Sequence, residues 1–373
     1  MAQRLRYMTI ICLLGSLLSS SAQDDNTFSI MSLNVDGLPA KFLFFNVNDD
    51  GPLSEGSERI SIYLAEKNCD IVSMQECFNY RWEIWSHLLG SYEHDEWTGC
   101  VGSEFKELDW LHLYNERFPC DGLNSVWKKD IRSTAYEREA HQQNFGKLSH
   151  EFDEFITKGF RRHEFTMNDG AQIVVYNTHF DASSKRDEKA GNDKRDRVAR
   201  ISQWKQLRDH ILSRMDNRPV IVTGDFNSYY QRDSVKEVFM EPIMKSGKAI
   251  VSDAWMQLCN KGDFLESDKV DLIESVNKII YINPIDGASV EPLTFTIDSV
   301  GYRHEGKPLG DHYPVIATFK MNVNESGSTG ISHKKGNTLH HQRYNLKGIR
   351  ATDKETTKTK GVYIINKEKA IIR

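Results

Sequence analysis

Two polar side chains at the end of an apolar stretch are the first candidates for chemistry in this sequence. The stretch Val220–Ser228 reads VIVTGDFNS. Its β-branched run stops at Gly224 and is followed by Asp225 and Asn227. Successive side chains of an extended chain point to opposite faces, so Asp225 and Asn227 should share one face while Phe226 turns into the core. The alternative is an Asx turn, in which the two polar side chains only hydrogen-bond their own backbone.

The same pattern, an apolar strand that ends in an acid, an amide or an imidazole, occurs at four further places. The stretches are FSIMSLNVD (28–36), DIVSMQE (70–76), IVVYNTHFD (173–181) and GDHYPVIATF (310–319). In chain order the motifs read LN, QE, NTH, GDFN, and DH followed by Tyr-Pro-Val. This order resembles the endonuclease/exonuclease/phosphatase superfamily of metal-dependent phosphoesterases. Each motif alone is weak evidence, whereas five in this order are strong evidence.

The resemblance covers roughly Phe28–Met321 and implies an α/β fold. In that fold two β-sheets form a sandwich between outer layers of helices, a four-layer α/β/β/α arrangement with the catalytic loops along one edge. The residues alone indicate a mixed α/β domain, because Glu58–Lys67 and Val198–Met215 show apolar residues at helical spacing. Each predicted helix comes just before a strand that carries a motif.

The resemblance also implies a metal site. It makes Glu76 the principal carboxylate ligand, lets Asn34 contact metal or phosphate, and has Asp311 support the metal or its water. Asp36 shares a face with Asn34 and is a candidate partner that would hold these ligands in place. Hard oxygen ligands suit Mg²⁺, with Mn²⁺ or Ca²⁺ as alternatives.

The catalytic roles follow from the same resemblance. His179 would contact a phosphate oxygen or the leaving group, although a buried, hydrogen-bonded core histidine is the alternative. Asp225 would orient or deprotonate the attacking water, and Asn227 would hold that water or a phosphate oxygen. His312 would act as general base or stabilise the pentacoordinate phosphate. Which histidine is the acid and which is the base stays open.

Two positions depart from the family pattern. The family usually has a serine before the Asp-His pair, where this chain has Gly310. The aspartate that orients the terminal histidine corresponds to Asn277, which can fix an imidazole tautomer but cannot stabilise an imidazolium by charge. Asp298 is the alternative partner for His312.

The first 22 residues predict a signal peptide. Arg4 and Arg6 precede the apolar run Tyr7–Leu18, and Ser20-Ser21-Ala22 supplies a small-residue cleavage site. A membrane span would need roughly 18 to 20 apolar residues, which is longer than this run. We therefore expect a secreted protein that is periplasmic, attached to the cell surface or extracellular.

The remaining sequence divides into a phosphoesterase domain (23–321), a linker (322–337) and a small C-terminal β module (338–373). The module resembles C-terminal sorting modules of exported proteins, and a basic tail is the alternative. Residues 331–373 carry a net charge of +8 within a whole-chain charge of −5, which leaves −13 for residues 1–330. An acidic body offers little counter-ion surface to a nucleic-acid backbone.

Five cysteines follow the signal peptide, at positions 69, 77, 100, 120 and 259. Cys100 and Cys120 bracket a loop-like stretch and are the first choice for a disulfide. The alternative is that all five are small buried side chains.

Substrate choice depends on apolar and aromatic residues near the motifs. The stretch LPAKFLFFNV (38–47) follows the first motif with four large apolar residues. Lys158-Gly159-Phe160, Asp121-Gly122 and the Thr-His-Phe-Asp-Ala string (178–182) resemble bacterial neutral sphingomyelinases more than nucleases. The middle third also holds an aromatic bias suited to a choline head group, although ordinary core positions are the alternative for most of these tryptophans: Trp82, Trp85, Trp97, Trp110 and Trp127. We call Phe42–Phe45 the apolar rim and expect it to enter a lipid surface. The alternative is that these residues form a strand that continues into the core.

We therefore predict a secreted, Mg²⁺-dependent phosphodiesterase that hydrolyses phospholipid head-group esters, with transient membrane-surface contact. A DNase-like nuclease with nucleic acid as substrate is the first alternative. A non-catalytic interaction protein of the same fold is the second. The sequence has no Gly-x-Ser-x-Gly elbow and no Walker loop, which disfavours serine hydrolases and P-loop enzymes.

Overall fold

The computed structural model describes most of the predicted phosphoesterase domain. Backbone and side chains are described for 26–40, 48, 50–98, 120–145, 153, 156–183, 193–262 and 274–322, and strand backbone alone for 41–42, 45–46, 343–345, 350–351, 361–365 and 368–372. Within these ranges, twelve strands form two mixed sheets of six, and the other strands form three smaller sheets.

The two large sheets contain all strands that end in the predicted motifs. The first sheet contains β1 (Thr27–Asn34), β4 (Ile71–Gln75), β5 (Tyr92–His94), β6 (Asn124–Lys128), β13 (Ser289–Ile297) and β16 (Val315–Asn322). They lie in the order β13-β16-β1-β4-β6-β5. The second sheet contains β7 (Arg132–Ala140), β8 (Gly159–Thr166), β9 (Gln172–His179), β10 (Val220–Asp225), β11 (Ala249–Asp253) and β12 (Asn277–Pro284). They lie in the order β11-β12-β10-β9-β8-β7.

Each large sheet has a central pair of parallel strands. β1 pairs with β4 after a crossover through helix α1 (Leu53–Lys67), and β9 pairs with β10 after a crossover through a long helix, Lys194–Arg214. The carboxyl ends of parallel strands meet at one edge of a sheet. β16 and β12 run antiparallel to β1 and β10, so both begin at that same edge.

Helices cover the outer faces of the sandwich. Residues of the central strands alternate between the two faces, and both faces are buried. In β1, Ile30 belongs to the core between the sheets, whereas Met31 packs with Leu64 of α1. In β9, Val175 faces the other sheet, whereas Val174 packs in the cluster that holds the long helix. The predicted four-layer α/β/β/α sandwich is therefore confirmed.

The remaining helices are short. They are α2 (Arg81–Trp85), α4 (Glu241–Lys245) and α5 (Ala254–Cys259), with the long helix Lys194–Arg214 numbered α3 and a π-helical turn at Lys236–Met240. α1 and α3 begin a few residues before the predicted starts, because their first turns, LSEGS and KRDR, carry few apolar residues. No helix among the described residues is long and apolar enough to span a membrane.

Several small strands lie outside the large sheets. β2 (Lys41–Phe42) pairs with β3 (Phe45–Asn46), and β14 (Arg303–His304) pairs with β15 (Lys307–Pro308). Beyond residue 342 a separate four-stranded sheet contains β17 (Arg343–Asn345), β18 (Arg350–Ala351), β19 (Gly361–Ile365) and β20 (Glu368–Ile372). The C-terminal region thus contains strands in addition to the two that the sequence predicts.

Some predictions fall outside the described residues. The signal peptide at 1–22, Leu43 and Phe44 of the apolar rim, and Trp110 lie there. Cys120 is disulfide-bonded, whereas its predicted partner, Cys100, lies outside the described residues. Cys69, Cys77 and Cys259 are free thiols, so the alternative of five unpaired cysteines is wrong.

Candidate active site

The ends of six strands bring polar side chains to one edge of the sandwich. Asn34 ends β1, Glu76 follows β4, His179 ends β9, Asp225 ends β10, Asn277 begins β12 and His312 lies just before β16. We call these six residues the polar edge. The pairing register places Asp225 opposite both His179 and Asn277. Residues far apart in the sequence therefore lie close together, because the parallel strands of each pair end at the same edge.

The backbone turns sharply at three residues of this edge. Asp36, Glu76 and Asn227 have φ angles of 50°, 58° and 46°, in the left-handed region that non-glycine residues seldom adopt. β10 ends at Asp225, so Asn227 does not continue the extended chain, contrary to the prediction. The Asp225 Oδ1 atom accepts a hydrogen bond from the Asn227 N–H at 2.9 Å, which is the Asx turn considered as the alternative. The Oδ2 atom of Asp225 nevertheless faces the polar edge.

Glu76, His179 and Asp225 form a group with the geometry of a metal site. One ligand atom from each lies within 4.8 Å of the other two. His179 Nε2 is 3.8 Å from both Glu76 Oε1 and Asp225 Oδ2. These separations are too long for direct hydrogen bonds. Two carboxylates and an imidazole at such spacing fit a divalent cation, and carboxylate oxygens are the protein ligands that Mg²⁺ prefers.

Asn34 connects the two carboxylates of this group. Its Nδ2 donates hydrogen bonds to Glu76 Oε1 at 2.7 Å and to Asp225 Oδ2 at 3.0 Å. Its Oδ1 accepts from the Asp36 N–H at 2.9 Å, which fixes the orientation of the amide. In this orientation Asn34 presents nitrogen to the carboxylates and holds them together. Its contact with metal or phosphate stays a prediction.

The carboxylates of the site differ in their tendency to ionise. Burial, followed by the charges of Asp311 and Asp36, raises the pKa of Glu76 to about 8. Burial also disfavours ionised Asp225, but the nearby His312 and His179 outweigh it and lower the pKa of Asp225. Without a cation, therefore, the surroundings of Glu76 favour its protonated form, whereas the two histidines stabilise the ionised form of Asp225.

The two histidines also differ. Burial, followed by the charge of Lys158, lowers the pKa of His179 well below its usual value. Burial would lower the pKa of His312 too, but Asp225 and then Asp311 raise it. The Nε2 atom of His312 is 3.7 Å from Asp225 Oδ2 and 3.9 Å from Asp311 Oδ1. His312 is thus the histidine that more readily carries a positive charge.

Asn277, and not Asp298, contacts His312. The Nδ2 atom of Asn277 is 3.0 Å from His312 Nδ1. The Asp298 carboxylate instead accepts hydrogen bonds from the Tyr63 hydroxyl at 2.9 Å and the Gly301 N–H at 2.7 Å, and it pairs with an α1 lysine. Asp298 follows the end of β13 and is held against α1, which explains why the alternative assignment to His312 is wrong.

The other predicted residues lie around this centre. Asn227 Nδ2 is 3.4 Å from His179 Nε2 and donates to the Phe180 carbonyl at 3.2 Å. Asp36 accepts a hydrogen bond from the Asn48 side chain at 2.6 Å. Asp311 is half exposed. It contributes charge to the site, because it is among the groups that raise the pKa of Glu76.

A buried lysine behind the site was not among the predicted site residues. Lys158 Nζ donates to the Phe180 carbonyl at 3.2 Å and pairs with Asp153 at 2.6 Å. The same carbonyl accepts from Asn227, so Lys158 supports the residue next to His179. A lysine that directly precedes the apolar strand β8 was the available signal, since a buried lysine needs a partner.

A polar bridge between the sheets was also missed. Gln75 Nε2 donates to Asn177 Oδ1 at 2.7 Å, and Asn177 Nδ2 donates to the Met74 carbonyl at 3.0 Å. Both side chains are fully buried. Gln75 precedes Glu76, and Asn177 lies two residues before His179, so the bridge sets the spacing of two site residues. Polar residues inside otherwise apolar strands were the signal, because buried amides require hydrogen-bond partners.

A two-sheet sandwich with carboxylates, amides and imidazoles at one edge is an architecture of phosphoester-hydrolysing enzymes. The chain belongs to the endonuclease/exonuclease/phosphatase family, whose model matches residues 31–237. The sequence-based family prediction is therefore confirmed. No curated protein matches the chain at a significant level.

Solved structures with a similar fold include two forms of one enzyme and a bacterial protein. A humanised D. rerio TDP2 is 17% identical, with a TM-score of 0.54, 79% of this chain covered and 99% of that chain. D. rerio TDP2 complexed with a single-strand DNA product is 16% identical, with a TM-score of 0.52 and coverage of 79% and 100%. An endonuclease/exonuclease/phosphatase from Bacteroides vulgatus is 14% identical, with a TM-score of 0.51 and coverage of 80% and 100%. At these identities the likeness establishes the fold alone.

Proposed function

We propose that this protein is a divalent-metal-dependent phosphodiesterase that hydrolyses phospholipid head-group esters. The observation that supports the reaction is the convergence of Glu76, His179 and Asp225, whose ligand atoms lie within 4.8 Å of one another. Glu76 and Asp225 would hold the ion, with His179 as the third side chain facing it. When bound, a divalent ion polarises a phosphoryl oxygen and lowers the pKa of water.

The protein side chains divide the remaining work according to their charge. The carboxylate of Asp225, ionised at neutral pH because its pKa is lowered, orients the attacking water. His312 has a raised pKa and carries the positive charge that stabilises the phosphate oxygens as they become more negative. Asn227 lies beside His179 and offers an amide N–H to a phosphate oxygen. His179 stays neutral and positions the reacting group.

A lipid substrate is supported by the position of the β2–β3 strand pair and by an exposed tryptophan. The β2–β3 hairpin is tied at its base to the site, because the Asn48 N–H donates to the Ala40 carbonyl at 3.3 Å and the Asn48 side chain donates to Asp36. Trp82 in α2 is 61% exposed, the highest value among the described tryptophans. Exposed indole rings favour a membrane interface and choline head groups.

The charge of the body supports the same substrate class. Residues 1–330 carry a net charge of −13, which disfavours the phosphate backbone of a nucleic acid. Export is part of the proposal, because residues 1–22 combine a charged start, an apolar run and a small-residue cleavage site. Amino-terminal sequencing of protein recovered from the culture medium and cell envelope tests the export.

Nucleic acid is the second candidate substrate. It is favoured by the D. rerio TDP2 structure, which contains a single-strand DNA product and covers 79% of this chain with a TM-score of 0.52. That likeness establishes a shared fold but not a shared substrate. DNA is therefore tested in the same assay as lipid.

One parallel assay tests the proposed function. The protein without residues 1–22 is given sphingomyelin vesicles, phosphatidylcholine vesicles, duplex and single-stranded DNA, and a soluble chromogenic phosphodiester, each with Mg²⁺. We expect phosphorylated head group to be released from vesicles, EDTA to stop the release and Mg²⁺ to restore it. Glu76→Gln should be inactive while it keeps the fold. Activity that resists EDTA would contradict the metal site, and DNA cleavage with inert vesicles would establish the nuclease.

A matched pair of surface variants tests the rim. Trp82→Ser should reduce turnover of vesicles far more than turnover of the soluble ester, because it removes an interfacial contact and leaves the polar edge intact. Leu293→Ser is the control, since Leu293 is 46% exposed but lies in β13 next to the middle of β16. Equal effects of Trp82→Ser on vesicles and soluble ester would remove Trp82 from the interface.

A further inference from the structure

A buried ion pair lies next to the polar edge, and the site described above gives it no role. Lys278 is the second residue of β12 and directly follows Asn277. Its Nζ atom is 2.6 Å from Glu274 Oε1, and both side chains are 2% exposed. Taking two charges out of water is costly, and an apolar pair of similar volume is often at least as stable. The pair is therefore a candidate for a role other than stability.

The ammonium group of Lys278 closes the turn that leads into β12. Besides its contact with Glu274, Lys278 Nζ donates a hydrogen bond to the Ser275 carbonyl at 2.8 Å. The Asn277 N–H donates to Ser275 Oγ at 3.1 Å, which adds a bond across the same turn. Residues 274–278 are therefore wound around one buried positive charge.

This turn is fastened to the segment that follows β10. The Tyr230 N–H donates to Glu274 Oε1 at 2.9 Å, and the Phe226 N–H donates to the Val276 carbonyl at 3.0 Å. Lys278 Nζ also lies 4.2 Å from the centre of the Tyr230 ring, an attractive contact for a cation. Both N–H groups belong to the segment after β10, so the closed turn has a fixed position relative to that strand.

The position of the turn decides whether Asn277 meets His312. Asn277 Nδ2 is 3.0 Å from His312 Nδ1. Asn277 Oδ1 is buried and has no hydrogen-bond partner among the described residues. No contact of this oxygen fixes the amide, so the orientation of the amide depends on the backbone turn that carries it.

We propose that Lys278 is a positioning residue, which keeps the turn 274–278 closed and thereby holds the Asn277 amide against His312. Asn277 in turn orients the imidazole that faces the phosphate. Lys278 is too deeply buried to touch substrate, so it acts through Asn277 and not on the reacting atoms. The inference rests on the role that the proposed function gives to His312.

The test neutralises the ion pair and measures turnover of the soluble chromogenic phosphodiester with Mg²⁺. Lys278→Met alone would leave the Glu274 carboxylate buried without its partner, which is strongly destabilising. The pair variant, Lys278→Met with Glu274→Gln, has no charge at either position, and glutamine still accepts a hydrogen bond from the Tyr230 N–H. We expect kcat to fall about fivefold, the usual effect of losing one hydrogen bond, with KM unchanged.

The same change in an Asn277→Ala background separates positioning from a general weakening of the fold. Asn277→Ala alone should also lower kcat about fivefold. Because Lys278 acts through Asn277, adding the pair change to this background should lower kcat by less than about twofold more. A further loss as large as in the wild-type background would mean that Lys278 acts by another route and would overturn the inference.

Lys128→Met with Asp70→Asn is the matched control. Lys128 Nζ is 2.9 Å from Asp70 Oδ1, and Asp70 precedes β4 at the end of the strand opposite to Glu76. We expect this variant to lose thermal stability and keep its kcat. The same result in the pair variant would show a merely structural ion pair and would overturn the inference alone. A wild-type protein that hydrolyses no phosphodiester would overturn the proposed function and this inference with it.

Discussion

Two clusters of buried charge in this fold are arranged in opposite ways. The first, which we call the guanidinium cluster, contains Arg161, Asp95, Asp121, Arg138 and His163. Arg161 lies in β8, 2.8 Å from Asp121 and 3.1 Å from Asp95. Arg138 adds a contact to Asp121 at 2.8 Å, and His163 one to Asp95 at 3.0 Å. Each carboxylate is paired, and the cluster joins β8 of one sheet to residues that flank β5 and β6 of the other.

The polar edge leaves its charges apart. Its histidines stay 3.7 to 3.8 Å from Asp225, and one of them is 3.8 Å from Glu76. The pKa of Glu76 is raised to about 8. In the guanidinium cluster, burial disfavours ionised Asp121, but Arg138 and Arg161 outweigh it and lower the pKa of Asp121. The comparison teaches that buried charges paired at contact distance hold the sheets together, whereas those held apart leave the site open to the proposed cation and substrate.

The largest expected effect is on stability, in the guanidinium cluster. Arg161→Met keeps much of the side-chain volume but leaves two buried carboxylates without their main partner. Breaking a buried ion pair in this way typically costs about 3–5 kcal/mol. We expect the free energy of unfolding, measured by urea denaturation, to fall by that amount.

Arg138→Met is the control for Arg161→Met, because Arg138 contacts the same Asp121 but is 27% exposed. Arg138→Met should lower the free energy of unfolding by a clearly smaller amount, since water can replace an exposed partner. Equal losses in the two variants would mean that depth of burial does not set the strength of this cluster.

The second effect is on catalysis, at the polar edge. Asp225→Asn and His312→Ala should each lower kcat on the order of a hundredfold or more, the usual contribution of a positioned acid or base. The free energy of unfolding should fall less than in Arg161→Met, because neither residue is paired at contact distance with an opposite charge. A change confined to KM would move both residues from catalysis to substrate binding.

The third prediction uses pH to separate the clusters. The folded pKa of Asp121 lies below its ordinary 3.8, so its contribution to stability is present at neutral pH and is lost as the pH falls below that value. In metal-free protein the folded pKa of Glu76 is about 8 and its ordinary value is 4.5, so stability should fall as the pH rises between these values. Thermal unfolding at a series of pH values measures both.

Glu76→Gln and Mg²⁺ provide the controls for the pH experiment. Each should flatten the decline of stability between the ordinary and the folded pKa of Glu76, because Glu76 then no longer takes up a proton in this range. The loss of stability at acid pH should stay unchanged. A decline that persists in Glu76→Gln would assign it to another buried group.

The smallest effect is expected at the Asn277 contact. Asn277→Asp places a negative charge 3.0 Å from His312 Nδ1 and should raise the pKa of His312 further. The alkaline limb of the pH–rate profile should move to higher pH. At neutral pH, kcat should change by less than about tenfold, which is a smaller effect than that of His312→Ala. Asp298→Asn should leave that limb in place, and a shift there would reopen the choice between the two residues.

Much of the fold follows from local patterns in the chain. Alternating or continuous apolar residues mark the strands that end at Asn34, Gln75, His179 and Asp225, and helical spacing marks α1 and α3. Where an apolar run ends in a polar group, the chain must turn, so the candidate residues could be named from sequence. The starts of α1 and α3 were missed because polar first turns carry no periodic signal.

The partners of these residues were decided only by the tertiary structure. Asn34 bridges Glu76 and Asp225, and Asp225 is 191 positions away from Asn34 in the chain. The choice of Asn277 over Asp298 for His312, and the support that Lys158 gives beside His179, likewise depend on how the two sheets pack. Periodicity is a property of neighbouring residues and shows which side chains face inward. Distances across two sheets, and the burial that shifts each pKa, exist only after the sheets have packed.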